Sequence, residues 1–285
     1  MPRFPQPAPE DLRRDSRPLL GRTALVTGAS RRDGIGYAVA RRLAAYGAGV
    51  YLHHHVPHDV AQPWGADPEG AEGVAAGVRE ARADPEAVVA HGPGDLTGPT
   101  APAELIATAT GALGTGRLDI LVANHALSGH DGPLDHIDAA MLDAHWATDT
   151  RSVILLVQAY ARLRAALADR PPGGRILMMT SGQDLAGGMP GEVAYALAKG
   201  ALASATRTLA TALADLAVTV NTVNPGPVDT GYLDGEAHDA VAARFPSGRW
   251  GTPDDPARLL SWLATDEAQW VTGQVIDSEG GFRRG

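Results

Sequence analysis

Two apolar patterns alternate along the chain. Runs of four to six mostly apolar residues recur at 23 to 26, 49 to 53, 87 to 90, 118 to 123, 175 to 180, 218 to 223 and 274 to 277. Runs of this length, mostly followed by Gly, Pro, Asn or Ser, read as strands buried on both faces. Between them lie longer stretches with apolar residues three and four apart, at 35 to 46, 71 to 83, 102 to 113, 137 to 147, 150 to 168, 193 to 214 and 256 to 263. Ile35, Val39 and Leu43 share one face of the first; Val153, Leu156, Val157, Tyr160, Leu163 and Leu167 point the fifth toward a sheet or a partner subunit. Strands alternating with helices predict an α/β chain: a Rossmann-like, doubly wound parallel sheet with helices on both faces and right-handed crossovers.

Two segments break the alternation. Residues 1 to 18, with Pro2, Pro5, Pro7 and Pro9 among charges, read as a flexible arm ahead of a single domain at 19 to 285. Residues 57 to 73, with Pro63, Trp64, Gly65, Pro68 and Gly70, read as a long surface loop that either covers the adenosine end of a site or is decoration.

Composition narrows the function. A chain of 285 residues with 44% hydrophobic content fills one large core. The absence of cysteine excludes disulfides, thiolate metal sites and thiol catalysis. A formal charge of -9 argues against a nonspecific nucleic-acid binder. No run of eighteen apolar residues suggests a membrane span, and the amino terminus lacks the apolar core of a secretory signal, so a soluble, cytoplasmic protein is expected.

The candidate chemistry starts at Thr27-Gly28-Ala29-Ser30-Arg31-Arg32-Asp33-Gly34-Ile35-Gly36, the turn between the first strand and the first helix. Glycines there let a pyrophosphate approach the backbone, and the helix start offers free N–H groups and the positive end of its dipole. The second strand lacks the acidic residue that would bind the ribose hydroxyls of NAD: it ends in His53, His54 and His55, with no carboxylate before Asp59. With His58 these histidines invite a metal, but strand alternation would spread them, and no Cys or carboxylate cluster completes a site. They are read as loop or cofactor-pocket residues and no metal is assigned. Asp95, before Leu96, is placed either to accept from an adenine amino group or to cap a helix. Asn124-His125-Ala126 makes a polar break at the carboxyl end of the fourth strand, where open α/β sheets place ligands.

Further along come Ser181-Gly182, Tyr195-Ala196-Leu197-Ala198-Lys199, Asn224-Pro225-Gly226-Pro227-Val228-Asp229-Thr230, Val271-Thr272-Gly273-Gln274-Val275-Ile276 and Gly280-Gly281. With Thr27 to Gly36, Asp95-Leu96 and Asn124, this order over residues 20 to 283 resembles a classical short-chain dehydrogenase/reductase (SDR), similar to 3-oxoacyl-acyl-carrier-protein reductases and related carbonyl and alcohol dehydrogenases. The resemblance implies Tyr195 as acid/base, and Lys199 one helical turn later, lowering the phenol pKa and holding the nicotinamide ribose. It implies Ser181 as hydrogen-bond donor to the substrate oxygen. The alternative for the pair is a half-buried tyrosine and a solubilising lysine. The cofactor would be held by Gly28, Ser30, Arg31, Arg32, Gly34, Ile35, Gly36, His53, Asp95, Leu96, Asn124, His125, Ala126, Tyr195, Lys199, Pro225, Gly226, Val228 and Thr230. A substrate lid is expected at 228 to 250, where Tyr232, Leu233, Phe245 and Trp250 either touch substrate or pin the lid to the core. A homotetramer or homodimer is implied by resemblance alone.

Three departures from the family stand out. His125 and Ala126 replace an Ala and a Gly, and the larger ring is expected to crowd the nicotinamide side. Asp149 stands where the family has an Asn that helps hold a relay water; its charge is expected to pair with Lys199 or raise the Tyr195 pKa. The loop between Gly28 and Gly34 is two residues longer and puts out Arg31 and Arg32, which either clamp a 2′-phosphate or face solvent beside Asp33. The expected activity is NADP(H)-dependent reduction of a carbonyl substrate, a 3-oxoacyl thioester in the family's pattern, with NAD(H) second. The alternative, prompted by Asp149 and the altered Asn124 turn, is a catalytically impaired nucleotide-binding regulatory or structural paralogue.

Overall fold

The computed structural model describes residues 12–167 and 173–284. The chain runs β1 (Thr23–Val26), α1 (Ile35–Ala45), β2 (Gly49–His54), α2 (Val56–Val60), α3 (Gly70–Glu80), β3 (Val89–Pro93), α4 (Ala101–Leu113), β4 (Ile120–Ala123) and α5 (Ala139–His145). It continues through a π-helical turn (Trp146–Arg151) into α6 (Ser152–Ala166), β5 (Gly174–Met179), α7 (Val193–Ala212), β6 (Val218–Asn224), α8 (Gly235–Ala242), α9 (Asp254–Leu263) and β7 (Val275–Asp277). Local chemistry sets several ends. The Asp138 carboxylate caps α5 by accepting from Met141 N at 2.8 Å, and Gly114 ends α4 in the left-handed conformation at φ 70.

All seven strands are parallel, in the order β3-β2-β1-β4-β5-β6-β7. The order reverses between β1 and β4, so the turns leaving those two strands diverge and open a crevice at the carboxyl edge. Alternate residues feed two cores. Val26, Ile120, Val122 and Leu177 meet Val39, Leu43, Leu260 and Leu263 of α1 and α9 on one face. Leu25, Leu121, Ile176 and Met178 meet Leu105, Leu156, Tyr160 and Leu202 of α4, α6 and α7 on the other. Each such side chain, fully buried, contributes roughly 1.5–3 kcal/mol of transfer free energy, which fixes the frame around the crevice.

Boundaries differ from the sequence reading in places that matter. The helices expected at 137 to 147 and 150 to 168 are one continuous helix whose middle widens into the π turn, and the polar stretch that suggested a break is that turn. The loop expected at 57 to 73 contains α2, and the expected lid contains α8. β3 sits two to three residues later than its most apolar run, because it takes its register from β2: Val50 pairs with Val89 and His54 with Pro93. The expected arm lies, up to residue 11, outside the described residues. Leu19 is fully buried, and its amide donates to the Tyr46 carbonyl at 2.9 Å.

Candidate active site

Thr27 joins the two walls of the crevice. Its hydroxyl is 2.7 Å from His125 Nδ1 and accepts from Asn124 N at 3.0 Å, while Asn124 Nδ2 donates to the carbonyls of Thr27 and Gly28, both at 3.1 Å. Close approach and backbone shape both require glycine at position 28: φ is 68, and a Cβ would lie 2.7 Å from His125 Cα. At Gly36 a Cβ would lie 2.6 Å from the Gly28 carbonyl oxygen. No side chain caps the start of α1 and no acidic residue stands in its first turn, so its N–H groups are left for an anion. That opening at the strand switch fits a dinucleotide pyrophosphate.

The ring of His125 is buried in the wall of the crevice. It turns inward, with Nδ1 on Thr27 and Nε2 2.7 Å from Ser152 Oγ, and stands edge-on to His53 at 6.2 Å between centroids. Burial holds it well below the usual histidine range, helped by His53 and Lys199. His53 is buried with Nε2 on the Gly94 carbonyl at 3.0 Å, and burial pulls it down to about 4. His54 points elsewhere, to His91 Nδ1 at 3.1 Å. Asp95 does not cap α4, which begins at Ala101; its Oδ1 accepts from Thr97 N and Thr97 Oγ1 at 2.9 and 2.7 Å. Ser30 Oγ accepts from His55 N at 3.3 Å, Leu96 and Val228 are buried, and Ile35 packs against the core.

On the other side of the crevice, α7 brings Tyr195 and Lys199 to one face. Asp131 fixes its start, Oδ1 accepting from Ala194 N at 3.0 Å and Oδ2 from Tyr195 N at 2.8 Å. Ser181, just past β5, stands beside the Tyr195 phenol and favours its ionised form. Lys199 is buried, with Nζ 5.4 Å from the centroid of the Tyr195 ring. The expected lowering of the phenol is not what this surrounding produces. Burial pushes Tyr195 up, Asp149, Glu192 and Tyr232 add to the shift, and Ser181 opposes it. Lys199 moves down, by burial, with Asp149 opposing.

Asp149 does act on Tyr195, as expected, but its hydrogen-bonding partner is one the sequence reading missed. In the π turn, Asp149 Oδ1 accepts from Leu127 N at 2.7 Å and Oδ2 lies 2.8 Å from His145 Nδ1. The signal was present in the sequence: His145 and Asp149 are four apart on one helix.

Arg31 and Arg32 are already engaged by the residues after β2. Arg31 Nε is 3.3 Å from Asp59 Oδ1, its guanidinium lies 5.2 Å from the Trp64 ring centroid, and it donates to the Thr230 carbonyl at 3.1 Å. Arg32 makes a two-pronged contact with Asp67, Nε to Oδ2 at 3.1 Å and Nη2 to Oδ1 at 2.9 Å, and Nη1 is 2.6 Å from Glu69 Oε1. Gln62 Nε2 reaches across to the Ser128 carbonyl at 3.1 Å. The 57 to 73 segment therefore ties the loop after β1 to the loop after β4, and Arg32 does not stand free beside Asp33.

After β6, Asn224 Oδ1 accepts from Gly226 N at 3.0 Å and its amide donates to Asp277 and Glu279 at 2.8 Å, which fixes the Pro225-Gly226 turn. In the 228 to 250 segment Trp250 and Phe245 are buried: Trp250 stacks on His238 at 5.0 Å and donates to its carbonyl at 2.9 Å, and Phe245 meets Phe282 at 4.9 Å. These two pin the segment. Tyr232 and Leu233 remain 41% and 37% exposed. Burial, then Glu192 and Asp229, push the Tyr232 phenol up to about 12.

Residues 28–283 match the family model described as Enoyl-(Acyl carrier protein) reductase. The uncharacterised oxidoreductase YjdA of Bacillus subtilis strain 168 is 40% identical over 262 residues, covering 92% of this chain and 97% of that protein. The chain belongs to the classical SDR family. The 3-oxoacyl-[acyl-carrier-protein] reductase FabG of Escherichia coli K12 is 32% identical to this SDR over 270 residues, 92% of the chain and 97% of FabG. A crystal structure of a short-chain dehydrogenase from Burkholderia cenocepacia J2315 in complex with NADP superimposes with a TM-score of 0.77 at 32% identity, covering 92% of this chain and 98% of that one. This SDR is an NAD(P)(H)-dependent oxidoreductase on a nucleotide-binding Rossmann-like fold.

Proposed function

We propose that this SDR reduces a carbonyl compound to an alcohol with NADP(H), with Tyr195 as general acid. The observation that carries the reading is the Tyr195 phenol, kept protonated by burial, with Ser181 beside it and the buried Lys199 Nζ 5.4 Å from its ring centroid. Bound NADPH would supply the hydride. As negative charge builds on the carbonyl oxygen, Tyr195 gives it a proton and Ser181 a hydrogen bond; the nearby Lys199 ammonium stabilises the phenolate left behind and holds the nicotinamide ribose. Two hydroxyls converging on one oxygen suit a C=O more directly than a C=C bond. A 3-oxoacyl thioester is the substrate class in keeping with the FabG relative.

NADP(H) is proposed ahead of NAD(H) because β2 ends in His53 and His54 with no carboxylate for free ribose hydroxyls, because Arg31 and Arg32 flank the phosphate turn, and because a similar SDR binds NADP. The nucleotide would lie along Gly28, Ser30, Gly34 and Gly36, past Asp95, Asn124 and Ala126, to Pro225, Gly226 and Thr230. The 228 to 250 segment is proposed as the lid, with Tyr232 and Leu233 facing substrate. Assembly into a homotetramer or homodimer belongs to the same reading: β7 is a sheet edge, with Val275 43% and Trp270 94% exposed. A cytoplasmic location goes with it, for a reaction that draws on a nicotinamide pool; among the described residues no helix is long and apolar enough to cross a membrane.

The test is oxidation of NADPH and NADH by the purified protein against a panel of β-keto thioesters, ketones, aldehydes and quinones. Turnover lost in Tyr195→Phe with NADPH binding retained supports the reading. Tight NADPH binding with no turnover on any class would favour the impaired paralogue that Asp149 first suggested.

A further inference from the structure

The reaction just described leaves a buried group behind Tyr195 unused. His145 is almost completely buried and stands edge-on to the Tyr195 ring, 5.9 Å between centroids. Its Nδ1 is 2.8 Å from Asp149 Oδ2, its Nε2 is 3.1 Å from the Gly129 carbonyl, and Asp131 Oδ2 is 3.8 Å from Nε2. A carbonyl oxygen only accepts, so Nε2 carries a hydrogen. The oxygen facing Nδ1 belongs to a carboxylate whose other oxygen already accepts from Leu127 N. A short contact at Nδ1 thus needs a second proton, and with Asp149 ionised that proton sits on the ring.

We propose that His145 is a positioning residue of this SDR: held as an imidazolium between Asp149 and Gly129, it offsets part of the opposition that the Asp149 carboxylate presents to negative charge on Tyr195. The inference rests on the reading of Tyr195 as the acid and extends it to a residue one helical turn before Asp149. The other groups bearing on the pair are Asp131 from the loop after β4, Glu192, Tyr195 and Lys199 from α7 and its start, and His58 from α2. With the imidazolium removed, Asp149, Asp131 and Glu192 would surround Tyr195 with Lys199 as the nearby cation. Burial alone would pull His145 down; Asp149, Gly129 and Asp131 outweigh it and the net shift is upward, in keeping with a charged ring.

The pH dependence of alcohol oxidation reads this directly, because Tyr195 must then act as phenolate and the rate climbs along a limb set by its pKa. In His145→Gln the limb moves to higher pH and kcat at fixed pH on the limb falls about tenfold, with KM little changed. In Asp149→Asn it moves to lower pH. The double variant, with no charge left to offset, returns to the wild-type limb or below it, a rescue that a packing role does not produce. NMR of the protein labelled at its histidine ring nitrogens adds a readout free of turnover: both nitrogens of His145 are protonated at about pH 7. An unmoved limb in folded His145→Gln, or a neutral His145 ring, overturns the proposal while loss of turnover in Tyr195→Phe leaves the acid reading standing. Full turnover in Tyr195→Phe removes the acid reading itself.

Discussion

Asp67 and Glu69 hold Arg32 at 2.9 and 2.6 Å, which puts two carboxylates beside a guanidinium proposed to meet the NADPH 2′-phosphate. A 2′-phosphate drawn to Arg32 comes within about 6 Å of both carboxylates, and each repels its roughly two charges by about 1.4 kcal/mol in a water-like dielectric. Screening at ordinary ionic strength removes about half, so the two together oppose NADPH by about 1.4 kcal/mol, or tenfold in Kd. NADH has no phosphate there and escapes the effect. Asp67→Asn/Glu69→Gln therefore tightens NADPH by about tenfold and changes NADH by less than about threefold. The Asn amide oxygen still accepts from Arg32 N, where Asp67 accepts now at 2.9 Å, so the segment keeps its anchor. Arg31→Ala, by contrast, weakens NADPH far more than NADH, by about 10- to 100-fold for a lost charge-assisted contact. Fluorescence titration of both nucleotides into the wild type and the variants supplies the Kd values, with thermal melts to check folding. Equal changes for NADPH and NADH would place the arginines on the pyrophosphate or the fold and refute the argument.

Tyr195→Phe lowers carbonyl reduction by about 10²-fold or more with NADPH binding unchanged, measured by NADPH oxidation and nucleotide titration. Stability falls in acid. His53 is buried neutral with its pKa pulled down to about 4, so between the unfolded value near 6.5 and that folded value the unfolded chain gains a proton the native state lacks, a loss of about 3 kcal/mol that urea midpoints at pH 7 and pH 4 record. His53→Gln shows a smaller loss over that interval, and an equal one would exclude His53 as a source. Trp270→Glu at the edge of the sheet shifts the protein to a smaller species in sedimentation if that face is an interface between copies, and leaves the mass unchanged if it is not.

The fold was legible because its signal is redundant. Most strands from β1 to β6 are short, largely apolar runs and each crossover helix carries its own stripe, so a misjudged end at β3 or α6 left the order of elements intact. Ser181, Tyr195, Lys199 and Asp149 were legible from the family resemblance, and the structure brings them to one cluster. Long-range pairing was not. Arg32 and Asp67 are separated by 35 residues, and the local pattern, which left the turn-rich segment as either a cover or decoration, does not pair the two. The inward turn of His125 was hidden for the same reason: it depends on Ser152 in α6, 27 residues away, offering an oxygen beneath the Asn124 turn.

The two departures that add charge, Asp149 and the Arg31-Arg32 pair, are both answered by partners within this chain. A carboxylate taken out of water without a partner costs several kcal/mol, so a buried Asp149 alone would argue for a damaged site. Asp149 with His145 at 2.8 Å is different: the added negative charge comes with the histidine proposed above to hold the compensating proton. The phosphate loop repeats the pattern, since its extra arginines meet Asp59, Asp67 and Glu69, all from one insertion. Neither departure leaves an unpaired charge beside Tyr195 or beside the phosphate turn, which removes the ground on which Asp149 suggested a damaged site. The pairing is therefore consistent with the proposed reductase, and the departures from the family pattern stand compensated at both ends of the crevice.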